Sequence, residues 1–249
     1  MSIASILPLL DKAIASRAHL VDSHHEAAFR LFNGFTEGDP NLSADIYAQT
    51  LVIHNYADDP IDNQLFIEDV VRHLRTLLDW LRVGIIKHRN GITQEDKRGK
   101  LLFGDSPDTK IREHGVWYAL DLTMNRDASF YLDTSLLRKW LIENMKGKSV
   151  LNTFAYTGGF GAAALAGGAT RVIQVDRNRR FLELAKQSYA LNEFQARAKD
   201  FIAQDFFPAV SRFKHAKQFF DCVILDPPFF SSTAKGKVDQ EKESARLIN

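Results

Sequence analysis

The chain has 249 residues, of which 45% are hydrophobic, 25% charged and 11% aromatic, and this composition excludes disordered, collagen-like and fibrous proteins. Its formal net charge is only +1, but residues 147–249 carry 15 Lys and Arg against 10 Asp and Glu, while residues 1–146 carry 17 against 21. The single cysteine, Cys222, excludes an internal disulfide and a multi-cysteine zinc site, and favours a reducing compartment.

The first 146 residues predict a small module of mixed helices and strands. Apolar residues at helical spacing predict one or two amphipathic helices over residues 5–35, ending at the pair Asn33–Gly34. The pattern then predicts strands over residues 50–56, 83–88 and 116–122, and a helix over residues 63–82. A short helix over residues 135–145 leads into the second half. We therefore expect residues 1–146 to form an N-terminal helical and α+β module.

From residue 149 onwards, short apolar strands alternate with helices. Strands are predicted over residues 149–155, 171–176, 201–205 and 219–226, with helices over residues 160–167 and 179–192 and a further helix starting at residue 239. This alternation is typical of a parallel sheet covered by helices on both faces. The predicted fold class is α/β, with a Rossmann-like parallel sheet in residues 147–249 preceded by the smaller α+β module.

A glycine-rich turn over residues 156–161 follows the first of these strands and opens a helix. Small residues there let the backbone approach a ligand closely, and leave helix N-terminal N–H groups facing an anionic group, although such turns also serve tight packing alone. Asp176 ends the second strand, eighteen positions after Gly158. Folds of this kind place an acid there to hold ribose hydroxyls, and the alternative role is a helix N-cap.

Acidic residues also follow the third and fourth strands. Asp205, beside Phe206 and Phe207, could accept a hydrogen bond from an exocyclic amine while the rings stack on a base, or the rings could pack in the core. The segment from Asp226 to Phe229 contains two prolines, which cannot continue a sheet. It therefore presents a carboxylate, a carbonyl and a ring at the carboxyl edge of the sheet, where ligands bind in such folds.

Taken together, these motifs resemble those of the class I S-adenosylmethionine-dependent methyltransferases. The segment 154–160, Asp176, Asp205 and the segment 226–229 follow one another in the order of that family. Upstream, Phe130-Tyr-Leu-Asp133 resembles the aromatic-Leu-Asp motif of the branch that methylates large-subunit (23S) ribosomal RNA. The resemblance covers roughly residues 41–249 and implies a methyltransferase whose cofactor is S-adenosyl-L-methionine. The eight histidines lack metal-ligand spacing, so no metal is expected.

The resemblance also implies a role for each motif residue. Four residues would surround the methionine part of the cofactor, namely Phe154, Tyr156, Gly158 and Phe160. Asp176 would hold the ribose hydroxyls and Asp205 the adenine amine. Asp133 would hold the cofactor's ammonium from the other side, and its alternative role is the N-cap of the helix that follows.

The predicted catalytic residues are Asp226, Pro227 and Phe229. In this type of site, the carboxylate of Asp226 and the carbonyl of Pro227 accept hydrogen bonds from an amino nucleophile, while Phe229 stacks on its base. This arrangement favours nitrogen as the methylated atom. Methylation at carbon 5 of a pyrimidine would need a cysteine thiolate, and we interpret Cys222, inside the fourth strand, as a small buried hydrophobe.

The chain departs from the family pattern in three places. Thr134-Ser135 follow the Leu-Asp pair where the branch commonly has Gln-Arg. The nucleic-acid-binding domain that some relatives carry at the N-terminus is not apparent. The chain stops soon after the fourth strand, whereas the fold normally has seven strands, so we expect a fragment whose sheet is incomplete at the C-terminus.

The expected partner is an RNA substrate, which the resemblance implies is ribosomal RNA. The protein is expected to be cytoplasmic and to have no membrane partner. A group of basic residues could contact the phosphates of this RNA, or could simply belong to a solvated loop. The group consists of Lys87, Arg89, Lys97, Arg98, Lys100, Lys110 and Arg112, with Lys235 and Lys237 further along the chain. One alternative function is a nicotinamide-dependent oxidoreductase, because residues 159–164 fit a loose dinucleotide fingerprint. Another is an RNA-binding protein that keeps the fold without turnover.

Overall fold

The computed structural model describes residues 2–58 and 63–227, together with the backbone of residues 230–233 and 236–239. The chain divides into two compact units, Met1–Asp133 and Thr134–Asn249, called here the N-terminal and C-terminal units. The helix over residues 135–144, predicted over residues 135–145 within the first module, belongs to the C-terminal unit. Among the described residues, no helix is long and apolar enough to cross a membrane.

The N-terminal unit is built on a five-stranded mixed sheet. Its strands, in spatial order, are β1 (Ala28–Asn33), β2 (Leu42–Tyr47), β3 (Thr50–Asn55), β4 (Val83–His88) and β5 (Lys100–Phe103). Only β3 and β4 pair in parallel, and the helix between them provides the crossover that parallel strands need. The helices are α1 (Ile3–Arg17), α2 (Gly34–Glu37), α3 (Gln64–Leu77) and α4 (Gln94–Arg98).

One face of this sheet holds the apolar core of the unit. Ile6 and Leu10 of α1 and Leu74 of α3 pack with Leu51 and Ile53 of β3, all of them buried. Beyond β5, an antiparallel hairpin of β6 (Lys110–Glu113) and β7 (Val116–Ala119) completes the strands of the unit. Lys87 is fully buried in β4, so both alternatives given for it, a phosphate contact and a place in a solvated loop, are wrong.

The helix predicted over residues 5–35 is correct for α1 and wrong for residues 28–33, which form β1. Phe29 and Leu31 point inward with the alternation of a strand, but the register shifts between Arg30 and Phe32, so that Phe32 is buried as well. This bulge breaks the period of two and imitates helical spacing. The partner strand β2, which the sequence analysis did not predict, satisfies the backbone hydrogen bonds of β1.

The C-terminal unit confirms the predicted parallel sheet. Its strands are β8 (Ser149–Thr153), β9 (Arg171–Asp176), β10 (Phe201–Ala203) and β11 (Cys222–Leu225), in the spatial order β10-β9-β8-β11. They alternate with α6 (Gly159–Ala166), α7 (Arg179–Leu191) and α8 (Phe206–His215), and α5 (Ser135–Asn144) precedes them. The helix α8 was not predicted, and residues 206–218 were assigned neither a helix nor a strand.

Helices cover both faces of this sheet. Val150 packs with Leu141 and Ala163 on the side of α5 and α6, whereas its neighbour Leu151 packs with Ala209 and Phe213 of α8 on the other. Because helices cover most of both faces, the strands consist mainly of apolar residues. A backbone hairpin of β12 (Phe230–Thr233) and β13 (Gly236–Asp239) follows β11. Asp239, where a helix was predicted to start, ends β13, and the rest of that predicted helix lies outside the described residues.

Candidate functional site

The ends of the four parallel strands lie in one row at the carboxyl edge of the sheet. Val175 pairs with Ile202 on one side and with Thr153 on the other, and Thr153 pairs with Leu225. At about 4.8 Å between neighbouring strands, the row is about 14 Å long. The strand order places β8, the first strand, between the second and the fourth. Open α/β sheets bind ligands in the crevice at such a reversal of strand order.

The glycine-rich turn continues β8 at this edge with an unusual backbone. Phe154, Tyr156 and Gly158 all have positive φ angles, of 53°, 49° and 76°. The N–H of Ala155 donates to the carbonyl of Val175 at 2.9 Å, and the N–H of Gly158 donates to Ala155 at 2.8 Å. A side chain at Gly158 would overlap Ala185 of α7. The turn is therefore held close to the sheet, and the first N–H groups of α6, which have no acceptor within the helix, lie at the edge.

Asp176 lies next to this turn at the end of β9. Its two carboxylate oxygens accept hydrogen bonds from the N–H groups of Tyr156, at 2.9 Å, and Asn178, at 2.8 Å. Burial raises the pKa of Asp176 above its ordinary value, and these hydrogen bonds, together with the charge and the backbone N–H of Arg177, oppose that shift. A carboxylate has about four acceptor positions, so this one retains capacity for ligand hydroxyls. Its alternative role as a helix N-cap is wrong, because Asn178 caps α7.

Asp205 follows β10 and caps α8, since one of its oxygens accepts from the N–H of Phe207 at 3.2 Å. Phe206 is buried and stacks on Phe154, with ring centroids 5.0 Å apart, and Phe207 meets its edge at 5.2 Å. The ring of Phe206 is thus engaged in protein packing. The stack nevertheless brings the turn after β8 and the start of α8 together at the edge.

A network of buried amides, which was not predicted from the sequence, lies below the turn. Asn152 donates to the Oε1 atom of Gln174 at 2.7 Å, and the Nε2 atom of Gln174 donates to the carbonyl of Gly158 at 3.3 Å and to the Tyr189 hydroxyl at 3.1 Å. These bonds join β8, β9, the turn and α7 through fully buried side chains. An amide in the middle of an otherwise apolar strand is the sequence signal that could have revealed it.

The remaining predicted residues lie in several different places. Asp226 is exposed directly after β11, and Pro227 follows it half-buried. Phe229 lies outside the described residues. Tyr156 meets the ring of Phe181 edge-on at 4.6 Å, while Phe160 packs against the apolar cluster under α6.

Asp133 is the last residue of the N-terminal unit and lies in the 3-10 turn Leu132–Thr134. It is not the N-cap of α5, because that position belongs to Thr134. Cys222 is half-buried, and burial raises the pKa of its thiol. Among the described residues, no cluster of three His, Cys, Asp or Glu side chains is arranged to hold a metal ion.

The fold and this edge define a Rossmann-like ligand-binding α/β domain. The family model described as "S-adenosylmethionine-dependent methyltransferase" matches residues 30–247, and the chain belongs to that family. A similar solved structure is the crystal structure of SMU.776 complexed with SAH, with a TM-score of 0.88 and 23% identity, covering 100% of this chain and 63% of that one. The S-adenosylmethionine-dependent methyltransferase from Agrobacterium tumefaciens has a TM-score of 0.59 and 19% identity, covering 81% of this chain and 62% of that one.

Among curated proteins, the chain is similar to two that carry the name "Ribosomal RNA large subunit methyltransferase I". The protein from Pseudoalteromonas atlantica is 31% identical over 88% of this chain and 55% of its own length. That from Aliivibrio fischeri is 31% identical over 90% of this chain and 57% of its own length. YwbD of Bacillus subtilis is 32% identical over 98% of this chain and 62% of its own length. The chain thus spans between half and two thirds of the length of these relatives.

The residues at the edge fit S-adenosylmethionine. The first N–H groups of α6, which have no acceptor within the helix, lie beside the turn, and the carboxylate of Asp176 retains acceptor capacity for ribose hydroxyls. Acidic side chains are suitable because the cofactor offers hydroxyl, amine and ammonium donors to them. The family's cofactor and the site are therefore chemically consistent.

Proposed function

We propose that the protein to which this chain belongs transfers a methyl group from S-adenosylmethionine to a base of RNA, with ribosomal RNA as the substrate. The observation that carries the proposal is the strand register, which aligns the glycine turn, Asp176, Asp205 and Asp226 along one edge. The names of the curated relatives support the substrate class. Because the chain spans only part of those relatives, the proposal concerns the whole protein.

In this proposal, the turn and the first two acids hold the cofactor. Asp176 accepts hydrogen bonds from the ribose hydroxyls, and Asp205 accepts from the adenine amine. The methionine part lies against the turn at Phe154, Tyr156, Gly158 and Phe160. When bound, the cofactor supplies a methyl group activated by a sulfonium. The role of Asp133 toward the ammonium remains a prediction from the sequence.

The proposed catalytic segment starts at Asp226, in the row next to the turn. Its carboxylate and the carbonyl of Pro227 would accept hydrogen bonds from an amino group of the base, which orients the nitrogen lone pair. The role of Phe229 and nitrogen as the methylated atom remain predictions. Methylation at carbon 5 would need a thiolate from outside this chain, because Cys222 is its single cysteine and burial raises the pKa of that thiol.

Ligand binding tests the proposal first, by titration calorimetry of the 249-residue chain with S-adenosylhomocysteine and with NAD. We expect S-adenosylhomocysteine to bind and NAD not to bind. Binding of NAD alone would favour the oxidoreductase alternative, which family membership does not support.

Methyl transfer is tested on the full-length protein, with tritiated S-adenosylmethionine and unmodified 23S ribosomal RNA. We expect label with the wild type and a large loss with Asp226→Ala. The matched control is Asp221→Ala, because Asp221 lies before the other end of β11 and accepts from Ser149 at 2.7 Å. No label with any protein would favour the non-catalytic RNA-binding alternative. Mass spectrometry of digested product RNA would distinguish methylation at nitrogen from methylation at carbon.

A further inference from the structure

The hairpin of β6 and β7 has one apolar face and one cationic face. Ile111 pairs with Tyr118, and both side chains are buried. Because side chains alternate along a strand, Lys110, Arg112 and Trp117 point to the other side. The Nζ atom of Lys110 lies 4.4 Å from the centroid of the indole ring, and the Cζ atom of Arg112 lies 5.6 Å from it. We call these three residues the hairpin face.

The backbone below the hairpin face is firmly attached to its unit. The N–H of Arg112 donates to the carbonyl of Glu26 at 2.8 Å, ahead of β1. On the buried side, the rings of Tyr118 and Phe130 lie 5.0 Å apart. The indole therefore holds two cations side by side on a fixed support. Cations restrained in this way lose less conformational entropy when they bind an anion.

Acidic groups around the hairpin face leave its cations available. The shortest approach is a loose ion pair of 3.9 Å between Arg112 and Glu26, and the Arg112 side chain remains 51% exposed. The side chain of Glu113 is only 9% exposed, with His114 at 4.0 Å. The carboxylate of Asp108 is occupied by Thr50 and Arg82. The outward charge of this face is therefore positive.

We propose that the hairpin face binds the phosphate backbone of the RNA substrate, with Lys110 and Arg112 each contacting one phosphate and Trp117 holding them in place. The inference rests on the proposed function and assigns a second contact region for the same substrate. Charge complementarity selects a polyanion as the occupant, and two aligned cations suit consecutive phosphates of one strand.

The test is binding of the 249-residue chain to a fluorescein-labelled 23S ribosomal RNA transcript over a series of salt concentrations. For Lys110→Gln/Arg112→Gln, we expect affinity to fall on the order of tenfold at low salt and the slope of log affinity against log salt to become shallower by about 2. Trp117→Leu keeps both charges, so we expect a smaller loss with an unchanged slope.

The matched control is Lys12→Gln/Arg72→Gln, which removes the same two charges from exposed positions on α1 and α3 of the same unit. It should bind RNA like the wild type, and all variants should bind S-adenosylhomocysteine equally. Equal RNA affinity in the two double variants would overturn the inference, whether both bind like the wild type or both are weakened. Methyl transfer to RNA with no effect of the hairpin variants would overturn it while leaving the proposed function standing. A wild type that neither binds nor methylates RNA would remove both.

Discussion

The single residue Asp176 connects the sheet to the turn, because its carboxylate accepts hydrogen bonds from the N–H groups of Tyr156 and Asn178. We expect Asp176→Ala to weaken binding of S-adenosylhomocysteine by roughly 1–3 kcal/mol, since ribose hydroxyls lose a charged acceptor. Calorimetry measures this. The control is Asp200→Ala, which removes a buried acid paired with Arg171 at the opposite end of β9. Unchanged affinity for Asp176→Ala would remove this residue from the site.

Lys87 should make the free energy of unfolding depend on pH. Its side chain is buried, and the Nζ atom donates to the carbonyls of Arg98 and Asn125 at 3.0 and 2.8 Å. Burial lowers the pKa of Lys87 from 10.5 to about 8. Between these values, the unfolded chain binds a proton that the folded chain does not, so the free energy of unfolding should rise with pH over that window. Urea unfolding of wild type and Lys87→Met tests it. The variant should lack this rise, and parallel pH curves would contradict the assignment.

At the scale of elements, α6 and β9 approach closely because Gly161 has no side chain. A Cβ atom there would overlap the amide of Gln174. Alanine favours a helix over glycine by up to about 1 kcal/mol, but we expect the overlap to dominate and Gly161→Ala to lower the free energy of unfolding by about 1–3 kcal/mol.

Urea unfolding of Gly161→Ala, Gln174→Ala and the double variant tests this contact. Gln174→Ala is itself costly, because it leaves Asn152 and Tyr189 without a partner in the network. The double variant should cost less than the sum of the two, since the shorter side chain removes the overlap. Additive effects would mean that the contact does not restrict α6.

At the scale of the whole molecule, β11 is the outer strand of the described parallel sheet. Val223 is 57% exposed and Phe219, just before the strand, is 87% exposed. Within the part of the chain that the structure describes, no strand pairs with the outer edge of β11, and an unpaired edge with apolar neighbours promotes association. We expect the 249-residue chain to self-associate with rising concentration in analytical ultracentrifugation, and Phe219→Ser/Val223→Lys to reduce this. A wild type that remains monomeric throughout the concentration series would contradict the expectation.

Features that depend on nearby residues could be read from the sequence. The strands β8 to β11 were predicted because buried parallel strands are short apolar runs, and the turn at Gly158 because its glycines and the following helix are contiguous. The order of Asp176, Asp205 and Asp226 after successive strands led to the candidate site, since strands of a parallel sheet end at the same edge. These features can be predicted from the sequence because each depends on only a few neighbouring residues.

Other features depend on residues far apart in the chain, and the sequence did not reveal them. The bulged strand β1 resembles a helix until β2 pairs with it. Lys87 resembles a surface cation until the end of α4, at residue 98, and the loop at residue 125 enclose its ammonium. Asn152 and Gln174 meet across neighbouring strands, 22 positions apart. Periodicity reports which side of an element is apolar, whereas pairing and enclosure depend on partners that folding brings together.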